Sequence, residues 1–325
     1  MTDTLLDVKD LKIAFQTLWG VNTVVDKVDF CVDNKEVVAF VGESGCGKSV
    51  TAMSLTRIMP SPPARILEGS VVFNGVDLLR KSEKYLRGIR GKDISYIFQE
   101  PSLALNPVYS IGNQIAESMK IHKNLSKGEM EDALIKSLND VLIPEPKDRL
   151  KSYPHQLSGG MKQRVMIAMA LMCEPKLLIA DEPTTALDVT VQREILNLLK
   201  HLHETKGMSI LLTTHDFGIV QNISHRIYVM YAGEVVETSS TEELFKNPKH
   251  PYTKALLGSI PCRARRAEKL NSIPGEVPKK LDGLEGCRFA NRCEFVQDDC
   301  RRTHPELEKI NERTSVRCPY WKSLI

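Results

Sequence analysis

Apolar and polar positions alternate in short runs over the first forty residues, in LLDVKDLKIAF, TVVDKVDFCV and EVVAFVG, with polar turns between them. This spacing predicts strands. VVAFV, residues 37–41, has no polar position, the pattern of a central parallel strand covered on both faces, and it runs directly into a glycine-rich loop. KLLIAD and SILLTTH repeat that pattern later, separated by helical segments, so the chain predicts a parallel sheet in an α/β fold. Residues 100–160 differ: IGNQIAESMKIH and KGEMEDALIKSLNDVL carry helical spacing between Pro- and Gly-marked breaks, which predicts a helical insertion between two sheet strands. Beyond residue 258 the periodic pattern fades into an Arg-, Lys- and Pro-rich tail, so we expect a large domain over 1–258 and an appended module over 259–325.

Composition narrows the function classes. An apolar fraction of 42% is ample for a buried core, and 44 basic against 41 acidic residues, a formal +3, is not the footprint of a protein that embraces nucleic acid. No stretch approaches the roughly 18 to 20 consecutive apolar residues that cross a bilayer, and the start lacks a secretory pattern, so the expectation is a soluble cytoplasmic protein. Of the eight cysteines, Cys31, Cys46, Cys173 and Cys262 are scattered, whereas Cys287, Cys293, Cys300 and Cys318 crowd into the last forty residues. In that compartment a cluster favours metal ligation or redox chemistry over disulfides.

The chemistry begins after VVAFV. Gly42-Glu43-Ser44-Gly45-Cys46-Gly47-Lys48-Ser49 has the P-loop spacing and stands between a strand and the helical TAMSLTRIM. Its glycines let successive backbone N–H groups turn toward phosphates, Lys48 reaches the β- and γ-phosphates, and Ser49 holds Mg²⁺. In LLIAD-EP, Asp181 and Glu182 end a buried strand: the first can support the Mg²⁺ shell, and the second, as general base, faces an attacking water. Leu157-Ser158-Gly159-Gly160-Met161 opens the helical RVMIAMALMC, so the Ser158 hydroxyl and free backbone N–H groups form a second anion site. An ordinary helix cap would explain Ser158 alone. It would not explain these segments in this order, together with Gln99 in YIFQEP and His215 in LLTTH.

At this point the chain resembles the ABC ATPase family, whose signature is the Leu-Ser-Gly-Gly segment. The resemblance implies a RecA-like P-loop core with an antiparallel β subdomain and a helical subdomain. It implies that Ser158, Gly159 and Gly160 cap the γ-phosphate of ATP held by a partner's P-loop. Gln99 would contribute to Mg²⁺ and the attacking water and His215 would sense the γ-phosphate, while Asp188, in Ala-Leu-Asp, belongs to the loop that communicates across the dimer. An upstream aromatic should stack on adenine; Trp19 and Phe15 both fit.

FQEPSLALNP, DEPTTALDVT and NPKHPYTKALL look like the oligopeptide/dipeptide importer ATPases, and with them the tail, where Arg288, Phe289 and Arg292 lie between the first two clustered cysteines. The spacers of five, six and seventeen residues lack the close Cys pair of zinc ribbons, which leaves zinc possible in principle but disfavoured. The resemblance implies a four-iron four-sulfur (4Fe-4S) cluster in a small C-terminal cysteine-bearing extension. It further implies a heterodimer with a paralogous ATPase, two transmembrane permease subunits, an extracytoplasmic solute-binding protein and a place on the cytoplasmic face of the membrane. Import of nickel or oligosaccharide, and a soluble ABC ATPase outside transport, are the alternatives.

Overall fold

The computed structural model describes residues 4–18, 20–185, 187–260, 273–278 and 280–324. Two compact units emerge, one of residues 1–33, 37–79 and 213–325, the other of 34–36 and 80–212.

The first unit opens with two 14-residue strands, β1 (Thr4–Thr17) and β2 (Gly20–Asp33), paired antiparallel with several register shifts. β3 (Val37–Val41) buries all five residues, as its unbroken apolar run predicts, and leads through the glycine-rich loop into α1 (Lys48–Ser54). β4 (Ala64–Phe73) pairs antiparallel with β1 and with the short β5 (Val76–Asp77), giving a four-stranded sheet in the order β2-β1-β4-β5. Its strands alternate buried and exposed positions, as a sheet with one covered face must.

The second unit begins with α2 (Glu83–Ile89) and β6 (Ile94–Ile97). The predicted helical insertion follows as α3 (Pro101–Ala104), α4 (Ile111–His122), α5 (Lys127–Asp140) and α6 (Pro146–Arg149). Local chemistry sets their starts. Ser110 caps α4 by accepting from the Asn113 N–H, and Ser126 with Glu129 forms a reciprocal capping box on α5. α4 buries Ile111, Ile115, Ala116 and Met119, one stripe at helical spacing. α7 (Gly159–Leu171) buries positions nearly all round. It is followed by β7 (Leu177–Asp181), α8 (Val189–Lys206), which turns Ile195, Leu198, Leu199 and Leu202 inward, and β8 (Ser209–Thr214). β8, β7 and β6 lie in that order, with β7 and β6 parallel.

The chain returns to the first unit with α9 (Phe217–Ile223), β9 (Arg226–Tyr231) and β10 (Glu234–Ser240), then α10 (Thr241–Lys246) and α11 (Pro251–Gly258). β9 pairs parallel with β3 and antiparallel with β10. The cysteine-bearing tail adds two short strands, β11 (Glu308–Lys309) and β12 (Ser315–Val316), and β12 pairs with β10. Sheet pairing is reinforced by charge: Glu234 at the start of β10 is 3% exposed and receives Arg288 Nε at 3.7 Å, His304 Nε2 at 3.0 Å and Arg317 Nε at 3.6 Å from the tail. Thr23 donates its N–H and hydroxyl to Asp282 at 3.2 and 2.8 Å. Among the described residues, no helix is long and apolar enough to cross a membrane.

Candidate nucleotide site

In the first unit the glycine-rich loop is bent by its surroundings. A Cβ on Gly42 would stand 2.2 Å from the Met230 carbonyl oxygen, and Gly47, which caps α1, has φ +108°. No other residue type meets both demands without moving backbone. The loop then curls around its own lysine: Lys48 is 4% exposed, and its Nζ donates to the carbonyls of Gly42 at 2.7 Å and Glu43 at 3.1 Å. Cys46 lies beneath, its Sγ 3.8 Å from Lys48 Nζ, and burial pushes its thiol above the usual range. Ser44 and Gly45 form the exposed lip, Ser49 is half-buried at the helix start, and Thr51 closes the turn on the Gly47 carbonyl. An ammonium among backbone N–H groups and small side chains suits a triphosphate.

His215 is exposed in this unit, just beyond β8, and the next residue, Asp216, caps α9 by accepting from the Gly218 N–H at 2.7 Å. Phe15 is half-buried on β1, in register with Asn22 and Ala64. Trp19 lies outside the described residues.

In the second unit β7 ends in a buried acid pair, with Asp181 7% and Glu182 8% exposed. Glu182 has φ +44°, a left-handed conformation that costs a non-glycine residue energy and that turns its carboxylate out of the strand line. Two donors meet one of its oxygens: Gln99 Nε2 at 3.0 Å and Thr185 Oγ1 at 2.9 Å both reach Oε2. Gln99 and Glu182, named from sequence, are therefore brought together. Thr185 was not named, and its only sequence signal is its place three residues after the glutamate.

Ser158 caps α7 by accepting from the Met161 N–H at 3.3 Å. A Cβ on Gly160 would stand 2.8 Å from Val191 Cγ1 and one on Gly159 3.6 Å from Leu187 Cδ2, so the signature turn lies against the start of α8. Asp188 caps α8, accepting from the Thr190 and Val191 N–H groups at 3.1 and 3.0 Å.

The four clustered cysteines line one cavity of about 620 Å³ in the first unit, along with His250, Phe289 and His304. All four are free thiols. Burial pushes Cys287 up to about 12 and Cys318 up to about 11, raises Cys293 as well, and pulls His250 down to about 3. Among the described residues no group of three or more His, Cys, Asp or Glu side chains is arranged to hold a metal ion.

Comparison with known proteins decides the family. Residues 25–185 match the ABC transporter family and residues 236–300 the oligopeptide/dipeptide transporter C-terminal region. The chain belongs to the ABC transporter ATP-binding proteins. It is 47% identical to a probable peptide ABC transporter ATP-binding protein of Sinorhizobium fredii, over 99% of this chain and 96% of that one. It is 46% identical to the dipeptide transport ATP-binding protein DppD of Escherichia coli, over 97% and 96%. Among solved structures, a dimeric ABC transporter cassette, MJ0796, matches at TM-score 0.65 and 26% identity over 73% of this chain and 98% of that chain. The cassette cbiO1 of Clostridium perfringens matches at TM-score 0.62 and 28% identity, over 75% and 91%. The ABC ATPase fold expected from the motifs is thus the observed one, and ATP hydrolysis coupled to transport is the activity of this ABC ATPase.

Proposed function

We propose that this ABC ATPase energises import of di- or oligopeptides, working with two transmembrane permease subunits and a solute-binding protein from the cytoplasmic face of the membrane. The observation that carries the reading is near full-length similarity, through the C-terminal region, to ATP-binding proteins named for peptide import.

Glu182 is the general base. Gln99 and Thr185 orient its carboxylate by donating to Oε2, and in its ionised form the carboxylate takes a proton from water as the terminal phosphoryl group departs. Lys48, with Gly42 to Gly47 and Ser49, binds the phosphates. When bound, Mg²⁺ supplies charge neutralisation at the phosphates, and Ser49, Gln99 and Asp181 are the residues suited to hold it. Ser158, Gly159 and Gly160 complete the nucleotide site of a second, paralogous ATPase, and Asp188, by fixing the start of α8 against that turn, communicates between the two. His215 senses the γ-phosphate. Adenine stacks on Phe15 or Trp19.

Cys287, Cys293, Cys300 and Cys318 hold a 4Fe-4S cluster. The reading is supported by four free thiols lining one cavity of about 620 Å³ and by their spacing, which lacks the close Cys pair of zinc ribbons. Such a cluster supplies cross-linking to a tail whose own apolar material is thin.

Reconstituting the complex with the peptide-binding protein tests the peptide reading. Peptide-loaded binding protein should stimulate ATP hydrolysis several-fold. Stimulation by nickel- or oligosaccharide-loaded protein instead, with none from peptide, overturns it.

A further inference from the structure

The tail reaches the nucleotide loop directly. Arg292, in the short turn between Cys287 and Cys293, has a side chain 4% exposed and makes a two-pronged ion pair with Glu43. Nη1 donates to Oε2 at 2.7 Å and Nη2 to Oε1 at 2.9 Å. Its remaining donors are also engaged: Nε reaches the Pro274 carbonyl at 2.8 Å, Nη2 the Ile273 carbonyl at 3.4 Å and Nη1 the Tyr231 hydroxyl at 3.4 Å. The guanidinium stands over the Tyr231 ring, 5.7 Å from its centroid. A planar fork with five donors pinned in this way has almost no freedom of its own.

Glu43 is gripped at three points. The Tyr252 hydroxyl accepts its N–H at 2.9 Å, Arg292 takes its carboxylate, and its carbonyl accepts the Cys46 N–H at 3.3 Å and the Lys48 ammonium at 3.1 Å. Tyr252 is packed in turn against Tyr231, which also meets Arg292, and against Phe289, with the three ring centroids 4.6 to 5.3 Å apart. The result is a continuous line of contacts from the cysteine-bearing turn, through Arg292 and the Glu43 carboxylate, to the carbonyl that receives the phosphate-binding lysine. A second stretch of the tail, Gly275 to Pro278 with Leu281, walls a cavity of about 580 Å³ with the exposed loop residues Ser44 and Gly45. Nothing in the ordinary P-loop mechanism uses the Glu43 side chain, whose carboxylate is taken by Arg292 of the tail.

We propose that Arg292 is a positioning residue for the nucleotide loop: by fixing Glu43 it presets the Lys48 cradle, so that the cysteine-bearing extension helps set the affinity of the protein for ATP. The role is one of geometry, since Arg292 is not placed to touch the nucleotide, and it holds whichever group the four thiols carry. Without the fork, Glu43 would keep only its backbone contacts to Tyr252, Cys46 and Lys48 and lose the one that ties it to the tail, so part of the ordering of the loop would fall on ATP binding.

The test is a double-mutant cycle on the full-length chain, with ATP affinity read by equilibrium binding and fold integrity by circular dichroism and melting. Arg292→Ala should weaken ATP binding about tenfold, Glu43→Gln by a similar factor, and the double variant no more than either alone, because both remove the same contact. Arg292→Lys, which keeps the charge and loses the fork, should recover part of the affinity. If Arg292→Ala cannot be obtained folded, Glu43→Gln decides the matter, because it leaves the arginine its tail carbonyls. A folded Arg292→Ala protein that binds ATP as the parent does, a folded Glu43→Gln protein that does so, or losses that simply multiply in the double variant, would overturn the proposal. So would an unchanged ATP affinity accompanied by a lowered melting point, the mark of a purely structural contact.

Discussion

Glu182 shows how much of this molecule turns on single side chains. Its left-handed backbone and its two donors act on one carboxylate, and each is unusual enough alone to call for a cause. Thr185 shares the oxygen with Gln99, so its hydroxyl has the same positioning task. Thr185→Val keeps the shape and deletes one hydrogen bond to a charged group, which is worth roughly 1.5 to 3 kcal/mol. We expect turnover in the assembled transporter to fall about tenfold or more with ATP affinity unchanged, and steady-state kinetics of the variant checks it. An unaltered turnover number would reduce Thr185 to a turn residue. The buried acid pair at the end of β7 was legible in the sequence, because two adjacent acids follow an unbroken apolar run. Thr185 was not, because threonine in a turn is commonplace and only the folded geometry shows which oxygen it meets. Arg292 was visible as part of the tail pattern, but its partner lies 249 positions away, a pairing that no local spacing encodes.

The elements follow their hydrophobic patterns most closely where they are most buried. VVAFV, LLIAD and SILLTT became fully buried strands, and the helical spacing of IGNQIAESMKIH became α4 over the same residues. β1 and β2 are longer than their apolar runs, since register shifts and left-handed residues such as Asp10 and Lys27 let them bend without ending. β12 was invisible: two residues carry no period, and pairing with β10 defines the strand. What fastens the tail to β10 is largely Glu234, buried and faced by Arg288, His304 and Arg317. Glu234→Gln removes a buried carboxylate from Arg317 and His304 and leaves Arg288 only its pairing with Asp26, and a broken buried pair typically costs 3 to 5 kcal/mol, so we expect a loss of about 3 kcal/mol. Denaturant melts of the full chain measure it; a change under about 0.5 kcal/mol would mean that sheet pairing alone holds the tail.

At the scale of the whole molecule, the second unit presents apolar side chains that the chain itself does not cover. Leu103 is 80%, Val108 74% and Tyr109 55% exposed, all within the segment leading from α3 to α4. Scattered single residues would need no explanation, but three within seven positions suit a partner. Leu103→Asp with Val108→Asp should abolish co-purification with the membrane subunits and uncouple hydrolysis from transport, while ATP binding by the chain persists. Retained coupling in that variant would place the membrane contact elsewhere. The chain carries one phosphate loop and one signature turn, and the account assigns them to different nucleotides, so hydrolysis should belong to a pair of ATPases and not to a single chain. The decisive measurement is specific ATPase activity of the purified chain as its concentration, and that of the paralogous subunit, is raised. The account predicts activity that climbs with association to a plateau and that Glu182→Gln converts into an ATP-bound dimer lacking turnover. Full activity from a verified monomer, independent of concentration, would contradict it.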